Sequence, residues 1–213
     1  SMYQTTSDLK IQALLNKRFI SLLGLSTLAF LLFLTSLNLS AAEPLRSSAK
    51  QLSQNLKQPG LVILDSRSEQ EYQQGHIQGA LNFPEAWTYH DQSIDGRIVQ
   101  PTPLQNILRR LGVNIDTPVV IYDNGQMMLA ARLFWTLEVY GLKNIKILNE
   151  GYSKWLTLNL PVNFETPTPQ TSEYIPVIKH ERLATKLSTL LASKNPNQLI
   201  ISARPNHAYR GLE

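Results

Sequence analysis

An α/β fold with an open parallel sheet covered by helices on both faces is predicted by three observations. Leu61–Leu64 and Pro118–Tyr122 are short apolar runs of strand length, and Ile145–Leu148 is a third strand-length run, apolar except for Lys146; this is the pattern of parallel strands buried on both sides. The stretches between them carry helical periodicity. Glycines stand where those helices must stop. A β-α-β-α-β order of this kind builds a layered sheet, and function in such sheets sits beyond the carboxyl ends of the strands.

The elements follow in order. Glu43 to Gly60 is polar and helix-permissive, with Leu45, Leu52 and Leu56 as a thin apolar face. After the first strand, Ser68 and Glu71 have the spacing of a capping box and open a short helix. Gly75 and Gly79 allow tight turns around His76, and a short strand follows at Leu81–Phe83. Pro103 to Leu111 predicts a helix with Leu104, Ile107, Leu108 and Leu111 on one face, ended by Gly112. Asp123-Asn124-Gly125-Gln126 is a turn at the end of the second buried strand. A helix from about Leu129 to Tyr140 closes at Gly141, with Phe134 and Trp135 on a packed face; Met127 and Met128 line the preceding loop or fill core space.

The Pro-rich stretch around 166–182 has the composition of a linker. Beyond it, Leu183–Ala192 reads as an amphipathic helix and Gln198–Ser202 as a further buried strand. LVILDSRSEQEY from Leu61 and LIISARPNHAY from Leu199 share an apolar run, an arginine (Arg67, Arg204) and a tyrosine five residues after it. They start about 138 residues apart, a domain-sized period that reads as the start of a second copy. The expected organisation is a leader over 1–42, a domain over 43–165, the linker 166–182, and a truncated second copy over 183–213.

From Phe19 to Ala42 there is no charged residue, and Lys10, Lys17 and Arg18 precede that run. This is the layout of an export segment. Ser40-Ala41-Ala42 offers a cleavage site, while the length of the run suits an uncleaved anchor, so a signal peptide and a membrane anchor both remain open. Either places the remainder in an exported, periplasmic or extracytoplasmic location.

The formal charge of +4 falls to +2 without residues 1–42, since three cations and one anion leave with them. No dense Lys/Arg stripe points to nucleic acid. The chain has no cysteine, which excludes disulfides, thiolate metal sites and a thiol nucleophile within these residues. His76 has no companion at metal-ligand spacing, so neither metal nor cofactor is expected.

Several motifs in order carry a family resemblance: LDSRSEQEYQQGHIQGALNF, RRLGVNIDTPVVIYDNG, AARLFWTLEVYG and ILNEGYSKWLTLNLPV. They resemble the tandem-domain rhodanese family, the thiosulfate and mercaptopyruvate sulfurtransferases. The resemblance implies a rhodanese-like open parallel sheet, followed by the linker and second copy. It also implies a catalytic C-terminal domain, the intramolecular partner of a non-catalytic N-terminal one, and a small sulfur-containing anion as substrate of the whole. In the catalytic copy a cysteine follows a strand like VVIY; by order along the motif that place is Asp123, as is common in the non-catalytic half. A carboxylate suits an amide-lined cradle yet has no sulfur to hold a persulfide.

The residues themselves offer both structural and functional readings. Asp123 fits a strand-end aspartate capping the next helix, or an acid in a different reaction. Asn124, Gly125, Gln126 and Arg132 are candidates for contact with an anion over the loop, with a salt bridge as the structural reading of Arg132. Asp65, Arg67 and His76 are read as scaffold, with Arg204 as the second copy's counterpart of Arg67. Ala208 departs from the arginine that the family's catalytic half often places before the motif tyrosine. A fragment of a tandem sulfurtransferase is thus expected, with a stand-alone exported pseudoenzyme, acting as a binding or regulatory module, as the alternative.

Overall fold

The computed structural model describes residues 45–91 and 96–212. The apolar run Phe19–Ala42 and its expected role in export lie outside these residues. Among the described residues no helix is long and apolar enough to cross a membrane.

The predicted strands appear as β2 (Val62–Asp65), β5 (Val119–Tyr122) and β6 (Ile145–Leu148), joined by short β1 (Arg46–Ser47) and β4 (Leu81–Asn82) at the edges. The sheet order is β1-β6-β5-β2-β4, and every pairing in it is parallel. Alternation along the strands divides the apolar side chains between two cores. Leu64, Val119 and Ile121 face one side with Leu104 and Leu108 of α3 (Pro101–Arg110) and Leu133 and Leu137 of α4 (Met128–Val139). Ile63, Val120 and Tyr122 face the other, with Leu52 of α1 (Ala49–Asn55) and Trp155 of α5 (Gly151–Thr157). Each such fully buried large side chain contributes roughly 1.5–3 kcal/mol, so both faces are strongly driven.

Helix α2 (Glu69–Gln73) begins with the capping box of Ser68 and Glu71. Helix α3 starts two residues before the sequence expectation because Pro101 can occupy its first turn, where no backbone donor is needed. A small antiparallel clip joins β3 (His76–Ile77) to β7 (Val162–Asn163).

The segment read as a linker lies against the domain as an extended strap. The last carbonyls of a helix lack intrahelical partners, and the strap supplies donors to them. The Ser172 amide donates to Arg109 O at 2.9 Å, the Val177 amide to Tyr140 O at 3.3 Å and the Lys179 amide to Val139 O at 2.7 Å. Tyr174 inserts into the core, and its hydroxyl donates to Tyr140 O at 2.7 Å. The approach is close enough to require glycine at both helix ends: a Cβ on Gly112 would lie 2.7 Å from Gln170 O, and one on Gly141 2.7 Å from Val177 O. Both residues have left-handed φ, +70° and +96°, which glycine adopts without strain.

Past the strap the packing changes. Helix α6 (Lys186–Ser193) is capped by Thr185 but buries no residue; Leu187, Leu190 and Leu191 stand exposed on it. The strand expected at Gln198–Ser202 does not form, and Leu199 and Ile201 are 84% and 80% exposed. A strand needs a neighbour to satisfy its backbone and cover its side chains, and the described residues provide none there.

Candidate functional site

At the carboxyl end of the sheet, β5 leads into the turn Asp123–Met127. Asp123 is 3% exposed, and its carboxylate gathers the amides of the turn and of the following helix. Oδ1 accepts from Gly125 N at 2.7 Å and Met127 N at 3.1 Å, and Oδ2 accepts from Ala130 N at 3.3 Å. Ala130 lies in the first turn of α4, where amides have no intrahelical acceptor, so Asp123 caps the helix from across the turn. Three donors compensate the desolvation of a buried carboxylate.

The turn is held from behind by the start of α5. A Cβ on Gly125 would meet Glu150 O at 2.6 Å, and one on Gly151 would collide with Asp123 O and Gly125 N. The Tyr152 amide donates to Asp123 O at 2.7 Å, and the Ser153 hydroxyl donates to Asn124 O at 2.6 Å. Asn124 itself is exposed and donates to Glu71 Oε1 at 2.7 Å; Gln126 is exposed.

Directly beneath lies a charged frame. Asp65 and Arg67, 0% and 3% exposed, pair through Arg67 Nη2 and Asp65 Oδ2 at 2.5 Å and Arg67 Nε and Asp65 Oδ1 at 2.9 Å. Tyr122 donates its hydroxyl to Asp65 Oδ2 at 2.6 Å and accepts from Ile77 N at 3.1 Å. Arg67 also donates to Gly75 O at 2.9 Å, and its guanidinium stacks on Tyr152, 4.0 Å from the ring centre. Burial works against the Arg67 charge, but the hydrogen bond and charge of Asp65 outweigh it and raise the pKa. Burial first, and the Asp65 charge second, push the Tyr122 hydroxyl well above its ordinary range.

His76 is fully buried and stacks on Tyr72 with ring centres 3.8 Å apart. Its Nδ1 lies 2.9 Å from Tyr72 O and its Nε2 3.3 Å from Glu165 O, so it joins α2 to the chain after β7. Arg132 braces the loop after β4: it donates to Thr88 Oγ1 at 3.1 Å and Gly96 O at 2.9 Å and lies over the ring of Tyr89 at 4.2 Å. Arg204, in the C-terminal segment, donates to Ser202 Oγ at 3.3 Å. The structure thus brings Asp123, Asn124, Gly125 and Gln126 together in one turn and pairs Asp65 with Arg67 in the adjoining frame, while His76, Arg132 and Arg204 engage other segments. Among the described residues no group of three or more His, Asp or Glu could hold a metal.

Residues 48–158, over half the chain, match the model of the rhodanese-like domain. The chain belongs to the rhodanese-like family. It is 29% identical over 168 residues to the 3-mercaptopyruvate sulfurtransferase of Escherichia coli K12, covering 74% of this chain and 60% of that protein. It is 25% identical over 167 residues to the thiosulfate sulfurtransferase of Bos taurus, covering 73% of this chain and 56% of that one. The crystal structure of the E. coli mercaptopyruvate enzyme SseA superposes with a TM-score of 0.71 at 28% identity, over 78% of this chain and 68% of that one. The chain spans about three fifths of the length of these curated relatives.

In this rhodanese-like domain several site residues escape a reading of the sequence. Tyr152 and Gly151 reach the turn from a segment some 26 residues further along, and no local pattern announces the contact. Tyr122 sits within an apolar run and looks like core; only the register Asp65↔Tyr122 reveals its hydroxyl as part of the frame.

Proposed function

We propose that this chain supplies the non-catalytic rhodanese unit of a tandem sulfurtransferase acting on thiosulfate or mercaptopyruvate. The observation that carries this reading is Asp123, whose carboxylate fills the amides of the turn after β5. Rhodanese chemistry needs a thiolate there, which takes a sulfane sulfur and passes it to cyanide or a thiol. The chain has no cysteine to do so. In this reading its task is to pack against a cysteine-bearing unit and wall one side of the cleft that binds the small sulfur anion. The exposed leucines of α6 and the uncovered run Leu199–Ile201 support it, since they have the character of a core waiting for the rest of its fold. Export, with residues 19–42 as signal or anchor, belongs to the same proposal.

A second reading, a stand-alone exported pseudoenzyme used for binding or regulation, is favoured by the strap. It completes the domain's own core through Tyr174 without help from another unit. Thiosulfate:cyanide and mercaptopyruvate assays on the 213-residue chain test the inactivity common to both; expected turnover is background, and thiocyanate production above it would overturn both. The mass of the natural gene product, and a persulfide on a cysteine within it, separates the two.

A further inference from the structure

Between the single turn of 3-10 helix at Glu85–Thr88 and helix α3 lies a groove of about 550 Å³, a size typical of small-molecule sites. Trp87, Tyr89, Val99, Pro103, Ile107 and Arg110 line it. None of them belongs to the Asp123 turn, and among the described residues no acidic side chain lines the groove.

The chemistry of its walls is unequal. Trp87 rests on Phe83, with ring centres 5.8 Å apart, and remains 39% exposed, so an anchored indole is presented to whatever enters. The Tyr89 hydroxyl donates to Glu85 at 2.5 Å, which engages both groups with each other. Arg109 is used internally, donating to Tyr174 O at 2.9 Å. Arg110, the next residue, is exposed, and its side chain has no hydrogen-bond or ion-pair partner among the described residues. His90, also a lining residue, adds a second donor-bearing ring.

We propose that this groove binds a small amphipathic organic anion, a carboxylate or sulfonate carried on an aromatic or short branched body. The body lies against Trp87, Pro103 and Ile107, and the anionic head pairs with Arg110. The guanidinium fork suits a planar two-oxygen head better than a point charge, and the aromatic wall suits a flat body. This site goes beyond the sulfur-transfer reading and depends on none of its assumptions.

Titration of the chain with 2-naphthoate, against 2-naphthylmethanol and 2-naphthylmethylammonium as charge controls, tests it by following the indole N–H resonances. Saturable binding of the anion, with the Trp87 resonance shifting most, is expected. Arg110→Gln alters an exposed side chain without partners and is expected to weaken binding about ten-fold, the effect of losing a hydrogen bond to a charged group; Trp87→Phe assigns the resonance. Equal binding of the three probes, equal affinity of the Arg110→Gln variant, or no shift at Trp87 would each overturn the proposal.

Discussion

Asp65 and Tyr122 stand opposite each other in the β2–β5 register, and the tyrosine hydroxyl donates to the carboxylate at 2.6 Å while accepting the Ile77 amide at 3.1 Å. One oxygen therefore connects the central sheet, the buried ion pair and the β3 clip. Tyr122→Phe leaves that amide without a partner and removes one bond from Asp65. The expected loss is about 1–3 kcal/mol, the cost of an unsatisfied buried polar group, read from urea unfolding.

Arg67 has a larger effect. Arg67→Met leaves the fully buried Asp65 carboxylate without its cation, and breaking a buried pair from one side costs about 3–5 kcal/mol. The double variant Asp65→Leu/Arg67→Met should recover much of this, since no charge is left alone. A double-mutant cycle by thermal unfolding measures it; equal loss in the single and double variants would contradict the pairing.

Alkaline pH should unfold the domain through its tyrosines. Burial raises the hydroxyls of Tyr122, Tyr140, Tyr152 and Tyr174 above the ordinary value of 10.0. Above pH 10.0 the unfolded chain releases these protons while the folded domain keeps them. The folded state then binds more protons than the unfolded, so stability is complete below that pH and declines as pH rises through the folded values. Urea midpoints across this range, with tyrosinate absorbance as the second probe, check the direction.

At position 123 the prediction concerns charge. Asp123→Ala exposes three buried or half-buried amides to a missing acceptor and should cost roughly 1–3 kcal/mol. Asp123→Cys should place a thiol among the same donors, and its pKa should fall below the usual value of about 8.5. As the chain has no other cysteine, the pH profile of iodoacetamide labelling reports that group alone. A profile at or above the ordinary thiol value would mean that the amides do not stabilise a negative charge there.

The strap can be loosened at one of its two closest contacts. Gly141→Ala combines a φ of +96° with a Cβ 2.7 Å from Val177 O. The variant should lose about 1 kcal/mol or more from the backbone alone and should be cut faster by protease within residues 166–182, mapped by mass spectrometry of the fragments.

Much of this fold could be read in advance because its central strands are buried on both faces and so are largely apolar. β5 is a continuous apolar stretch, β6 is apolar except for Lys146, and the Ser68–Glu71 box marks the start of α2. Edge strand β1 has no sequence signal because two residues carry no period, and its pairing with Ile147 and Leu148 is a tertiary fact. The prolines give the strap the composition of a linker. Composition reveals an extended backbone but not whether donors such as Ser172 and Lys179 find helix-end carbonyls. At the site, the turn after β5 was visible as a polar break, whereas the stacking of Arg67 on Tyr152 joins residues far apart in sequence.

The contact between the backbones of Gly125 and Gly151 also limits how this turn can evolve. Neither glycine can gain a methyl group without displacing a peptide of the opposite segment. Substitutions that keep this packing therefore fall on the side-chain-bearing positions of the turn, and at residue 123 a new side chain would meet the same backbone amides.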